Sequence, residues 1–184
     1  MPVAPDTLKR TGGRSLKSIR FDTETIAGRV RELGAEITAS YPAGDLMVLG
    51  LLKGSFIFLG DLVRQIERPL QVDFLVASSY GREMISSGQV NLLYDPETRL
   101  EGKHIVLVED IVDSGSTLRK LIALLRQRNP LSLAVCALLD KQIMHQPLPE
   151  LRFVGFPAPA AFLVGYGLDH AEDFRHLPFI ADLE

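Results

Sequence analysis

This 184-residue sequence predicts an α/β fold: a mostly parallel sheet with helices on both faces. Three observations carry the prediction. Continuous apolar runs of strand length recur along the chain, amphipathic helical stretches alternate with them, and charged or small-residue turns follow the strands directly. Asp22 stands before Ile26, Val30, Leu33 and Ile37, a helical spacing with an N-cap in front and Pro42 past the end, so residues 23–40 form the first helix. The run Leu46–Leu52 reads as a strand covered on both sides, ending at Lys53-Gly54. Residues 55–66 are helical and stop before Pro69, and residues 70–79 form the next strand. Ile105-Val106-Leu107-Val108 is a third buried strand, residues 117–128 are amphipathic, and residues 132–139 are a fourth strand. Parallel strands joined in this way place ligands beyond their carboxyl ends, so functional residues are expected just after strands.

Between the two strand-helix-strand units, residues 80–88 are small and polar with few apolar anchors, which predicts a mobile flap ahead of a strand at residues 90–94. The whole chain, residues 1–184, reads as one domain, with residues 1–17 a loosely attached lead that lacks the apolar stretch of a secretory signal. No apolar run is long enough to span a bilayer, which argues against a membrane role. A formal net charge of -3 argues against a nucleic-acid partner held by phosphate neutralisation. The single cysteine, Cys136, lies inside an apolar strand and reads as core, a pattern that fits the cytoplasm. His104, His145, His170 and His176 lack metal-ligand spacing and read as surface or capping residues.

The most informative segment runs from Val106 through Glu109, Asp110, Asp113, Ser114, Gly115, Ser116 and Thr117. A strand leads into acids and then into a small-residue turn that opens a helix. Amides and hydroxyls of Ser114, Ser116 and Thr117 at a helix N-terminus, with Gly115 allowing close backbone approach, form a phosphate cradle. Carboxylates of Glu109 and Asp110 would repel that phosphate, so they suit hydroxyls or a cation beside it. A phosphorylated sugar with magnesium meets both demands.

With these residues in view, the sequence resembles the type I phosphoribosyltransferases. Their signature of four apolar residues, two acids, two apolar residues and Asp-Ser/Thr-Gly-x-Thr is filled at every position. Leu52-Lys53-Gly54, Ser78-Ser79-Tyr80-Gly81, Leu139-Asp140-Lys141 and the block from Phe162 to Asp169 extend the resemblance to the hypoxanthine-guanine branch. The resemblance implies a Rossmann-like sheet with a small hood over the base pocket and a closing flap carrying Ser79 and Tyr80. It implies transfer of a phosphoribosyl group from phosphoribosyl pyrophosphate (PRPP) to hypoxanthine or guanine, giving IMP or GMP in purine salvage, with Mg2+ and as a homodimer or homotetramer. It assigns the ribose hydroxyls to Glu109 and Asp110, the 5′-phosphate to residues 113–117, and pyrophosphate to Lys53, Gly54 and Arg175. It assigns the purine to Lys141, Phe162, Leu163 and Asp169, and metal contacts to Glu109, Asp110 and Asp169. Asp113 is the candidate acceptor of the purine proton.

The sequence departs from the family at Pro157-Ala158-Pro159-Ala160-Ala161, where charged residues are usual, and at His170, where Tyr is usual; both touch the base pocket. Competing readings are an enzyme for another base, a PRPP-sensing regulator and a phosphoacceptor receiver domain. Lys141 suits an exocyclic oxygen better than an amine, the regulator lacks a basic face, and the receiver leaves the cradle without a role.

Overall fold

The computed structural model describes residues 10–78, 91–96, 98–144 and 146–183. The expected flap at residues 80–88, with Ser79 and Tyr80, lies outside the described residues, as does His145. Six strands form the main sheet: β2 (Leu46–Leu52), β3 (Gln71–Ser78), β4 (Asn91–Tyr94), β5 (His104–Val112), β6 (Ser132–Asp140) and β7 (Leu151–Pro157). Their spatial order is β4-β3-β2-β5-β6-β7, parallel throughout except for antiparallel β4 at the edge. Strands β1 (Leu16–Phe21), β8 (Leu163–Val164) and β9 (Ile180–Leu183) form a separate antiparallel sheet in the order β1-β9-β8. This second sheet, with the turns that follow β8, is given the label hood.

Side-chain alternation divides the core. Val48 on β2 and Val106 and Val108 on β5 face one side, where they pack under α1 (Thr23–Ser40) and α2 (Phe56–Val63). Met47, Leu49, Ile105 and Leu107 face the other, against Leu118, Leu121, Ile122 and Leu125 of α3 (Ser116–Arg126). Helices therefore cover both faces, as the apolar strand runs require. Cys136 is fully buried in the first layer. No described helix is long and apolar enough to cross a membrane.

The Asp22 carboxylate accepts a hydrogen bond from the Thr25 amide at 2.8 Å, capping α1, and Ile26, Val30, Leu33 and Ile37 form its buried stripe. Three elements depart from expectation. Helix α2 ends at Val63, before residue 66, and β5 runs on to Val112, so Glu109 and Asp110 are strand residues and not turn residues. Pairing explains the longer strand, because Glu109, Ile111 and Val112 remain in register with Ala137, Leu139 and Asp140 of β6. The expected loose lead is the third. From residue 10 onward it is attached: Leu16 pairs with Leu183, Arg14 forms an ion pair with Asp173 and lies 4.7 Å from the Phe174 ring centroid, and His176 Nε2 donates to the Arg10 carbonyl at 3.0 Å. Its partners lie at the far end of the chain.

Helix α1 contains two glycines in opposite settings. A Cβ at Gly34 would overlap the backbone of Gln65, so this glycine sets the approach of the segment after α2, whereas a Cβ at Gly28 meets only Arg31 Nη2 at 3.9 Å. Gly28→Ala should raise stability by about 1 kcal/mol, some 2–4 °C in Tm, through helix propensity alone. Gly34→Ala should lower it by about 1–3 kcal/mol despite the same gain, because the clash is with main chain. Thermal unfolding of the two variants checks this; equal shifts would refute the packing of α1.

Candidate active site

Chain direction reverses between β2 and β5. From β2 the chain moves outward to β3, and from β5 it moves the other way to β6 and β7. The carboxyl ends of two adjacent strands thus open a crevice that no connection covers. Residues 52–54 leave β2 there, and residues 109–117 leave β5. A cavity of about 230 Å³ lies between them, lined by Gly54 and by every residue from Glu109 to Leu118. Gly115 has φ 67° and turns the chain into α3, whose first-turn amides have no partner within the helix. Asp113, Ser114, Gly115, Ser116 and Thr117 all line the cavity.

Glu109 and Asp110 stand side by side at the end of β5. Burial holds both carboxyls above the usual carboxylate range, and for Glu109 the neighbouring Asp110 charge adds to it. Asp110 is eased by the Ile111 amide, which donates to its Oδ1 at 2.8 Å. Glu109 Oε2 is sealed from solvent with no hydrogen-bond partner. A buried acceptor left open in this way suits hydroxyl donors or a cation.

Gly54 packs directly against this pair. A Cβ at Gly54 would overlap the Asp110 carboxylate, and a Cβ at Gly167 of the hood would overlap the Gly54 carbonyl oxygen. The loop after β2 is therefore sandwiched between an acid of β5 and the hood. Leu52 and Lys53 are joined by a cis peptide. The hood is tied down from its other side, where the Tyr166 hydroxyl donates to Asp61 Oδ2 of α2 at 2.7 Å.

On the β6 side, the Lys141 amide donates to the Val112 carbonyl at 2.9 Å, which fixes the loop after β6 to the end of β5. Lys141 Nζ then lies 3.5 Å from Asp113 Oδ2, with the lysine side chain 13% exposed and the aspartate 55%. Phe162 is 56% exposed and meets the His170 ring edge-on at 5.3 Å between centroids. Leu163 is buried in β8, paired with Asp182. Lys141 and Asp113 thus stand together after adjacent strands, able to donate to an oxygen and to take a proton, and the exposed face of Phe162 can stack on a flat ring.

At the rim, Arg175 Nη1 donates to the Gly167 carbonyl at 2.7 Å and Nη2 pairs with Asp169 Oδ1 at 2.8 Å, while Nε is buried without a partner. Glu172 went unnoticed in the sequence. Its carboxylate reaches Lys53 Nζ at 3.1 Å and Arg175 Nη2 at 3.3 Å, and those contacts, Lys53 first, hold it below the usual carboxylate range. An acid three positions after Asp169 and three before Arg175 was the available signal. Among the described residues no three His, Cys, Asp or Glu side chains converge as a ready metal cage; Asp169 is turned to Arg175, apart from Glu109 and Asp110.

The model of the phosphoribosyl transferase domain matches residues 21–170, and the chain belongs to the phosphoribosyltransferase family. Within it, the similarity is to the hypoxanthine-guanine branch. The hypoxanthine phosphoribosyltransferase of Buchnera aphidicola is 46% identical over 83% of this chain and 87% of its own length. The hypoxanthine-guanine phosphoribosyltransferase of Bacillus subtilis is 42% identical over 92% of this chain and 94% of its own. A crystal structure of a hypoxanthine-guanine phosphoribosyltransferase from Bacillus anthracis superposes with a TM-score of 0.87 at 39% identity, covering 92% of this chain and 100% of that one.

Because burial and the Asp110 charge raise Glu109, its ionisation opposes folding. The penalty is absent well below the ordinary carboxyl value of 4.5 and grows as pH rises above it. Without magnesium, Glu109→Gln should therefore stabilise the protein at neutral pH by about 1–2 kcal/mol, and the advantage should fade as pH drops through the carboxylate range. Tm measured against pH for both proteins checks this, and a variant less stable at neutral pH would contradict it.

Proposed function

We propose that this chain is a purine-salvage enzyme that transfers the 5-phosphoribosyl group of PRPP to hypoxanthine or guanine, yielding IMP or GMP and pyrophosphate. The observation that carries the reading is the crevice at the chain reversal, where a small-residue turn at a helix N-terminus, a buried carboxylate oxygen without a partner and the Lys141–Asp113 pair meet. The identity to hypoxanthine and hypoxanthine-guanine phosphoribosyltransferases over most of the chain supports it.

In this reading the cradle of residues 113–117 holds the 5′-phosphate, with first-turn amides of α3 as donors. Glu109 and Asp110 accept from the ribose hydroxyls. The purine lies on Phe162, with Leu163 backbone and Asp169 at its far edge, and Lys141 donates to the 6-oxygen. As the bond from the anomeric carbon to pyrophosphate breaks and the bond to the purine nitrogen forms, that nitrogen's proton passes to Asp113. Lys141 stabilises the negative charge growing on the ring. Lys53, the Gly54 backbone and Arg175, with its unpartnered Nε, receive the departing pyrophosphate. Glu109, with its unpartnered Oε2, and Asp110 would hold one magnesium ion, and Asp169 would serve a second. Magnesium bound there supplies charge neutralisation to the leaving group.

Exposed Val72 and Phe74 on β3 and Tyr94 on β4 share one face of the sheet edge, which suits a second copy in a homodimer or homotetramer. A cytoplasmic setting follows from the same reading and fits a single buried cysteine.

A PRPP-dependent spectrophotometric assay across hypoxanthine, guanine, xanthine and adenine, with and without chelator, tests the proposal. Turnover is expected on the first two bases and should stop without magnesium; transfer to adenine alone would overturn the base assignment. Asp113→Asn should lower kcat by about 100- to 10,000-fold while leaving PRPP affinity nearly unchanged.

A further inference from the structure

One carboxylate joins the two cations that the proposed reaction needs at its leaving group. Glu172 Oε1 lies 3.1 Å from Lys53 Nζ and Oε2 lies 3.3 Å from Arg175 Nη2, so each oxygen takes one cation from a different element. We propose that Glu172 is a positioning residue that competes with pyrophosphate. It holds Lys53 and Arg175 together in the empty site, must release them when PRPP enters, and closes on them again as pyrophosphate leaves. The inference rests on the pyrophosphate subsite proposed above and names the residue that sets its affinity.

Charge balance leads to this assignment. Lys53 and Arg175 face Asp169 and Glu172, two cations against two acids, so the cluster offers little net attraction to a polyanion until one acid withdraws. Asp169 is the poorer candidate to move. It is 30% exposed, it pairs with Arg175 at 2.8 Å, and its Oδ2 accepts from the Glu172 amide at 2.9 Å, so it also holds the turn. Glu172 is 59% exposed and pairs with Lys53, itself 66% exposed.

The backbone presents Glu172 in the required place. Ala171 and Glu172 have φ of 51° and 66°, a left-handed region that non-glycine residues rarely occupy. Paired hydrogen bonds between His170 and Asp173 close this turn. The turn keeps its shape through main-chain and Asp169 contacts, leaving the Glu172 side chain free to leave the cations. A carboxylate that stayed would lie beside incoming phosphate oxygens and repel them. Occupancy by Glu172 and by pyrophosphate therefore exclude one another.

Calorimetric titration of magnesium pyrophosphate into wild type, Glu172→Gln, Glu172→Asp and Arg175→Ala, with steady-state kinetics for each, tests the proposal. Glu172→Gln keeps the shape and removes the charge. Its Kd for pyrophosphate and its KM for PRPP should both fall about 3- to 10-fold, the scale of releasing two exposed ion pairs. KM for hypoxanthine should stay at the wild-type value, and Tm should fall by no more than a few degrees, because the same two ion pairs are lost from the folded protein. Glu172→Asp, which retains the charge, should lie nearer wild type than Glu172→Gln does. Unchanged pyrophosphate affinity in Glu172→Gln would overturn competition; weaker affinity would also overturn it and make the carboxylate a ligand of the magnesium complex. If Arg175→Ala binds pyrophosphate as wild type does, the subsite itself is wrong, whatever Glu172→Gln does.

Discussion

The close stacking of Asp110, the Gly54 backbone and Gly167 is the contact on which the site depends. It joins three parts of the chain that have no neighbouring sequence: the end of β5, the loop after β2 and the hood. Neither glycine has room for a methyl group, so the spacing is set by main-chain and carboxylate atoms and not by adjustable side chains. Arg175 reaches the same stack through its bond to the Gly167 carbonyl, and Lys53 is covalently next to Gly54. The proposed phosphate cradle, the buried acids and the rim cations thus keep a common frame.

Charge is sorted by depth within this frame. Acids of β5 lie inside, raised by burial, while Lys53 and Arg175 stand at the rim with compensating carboxylates. The protein spends stability to keep Glu109 ready. In the proposed reading, a ligand brings hydroxyl donors inward and negative charge to the rim, as a sugar bearing pyrophosphate does. On the β6 side, Lys141 and Asp113 are held together through the backbone link from Lys141 to Val112.

Legibility followed the range of the interactions. Strands β2, β5 and β6 are buried on both faces, so their apolar runs were plain in the sequence, and the cradle was legible because it is contiguous from Asp113 to Thr117. The hood was named only through the family resemblance. Its strands are short, β8 having two residues, and β1 finds its partner across the length of the chain. No turn marks Leu16–Phe21 as half of a hairpin, and its first two residues fall in the expected loose lead of residues 1–17. Glu172 escaped for a related reason: its partner Lys53 lies over a hundred positions away. The longer reach of β5, which makes Glu109 and Asp110 strand residues, depended on pairing with β6 that no local pattern records.

If the stacked Gly54 peptide aligns the crevice for PRPP, Gly54→Ala disturbs it, and Gly60→Ala, where an added methyl meets open space, is the folded control. PRPP affinity in the presence of magnesium should be measured for both. The account predicts that Gly54→Ala weakens PRPP binding by about tenfold or more, because the methyl displaces either the Asp110 carboxylate or the Lys53 loop, while Gly60→Ala binds as wild type. A folded Gly54→Ala protein that binds PRPP as tightly as wild type would contradict it.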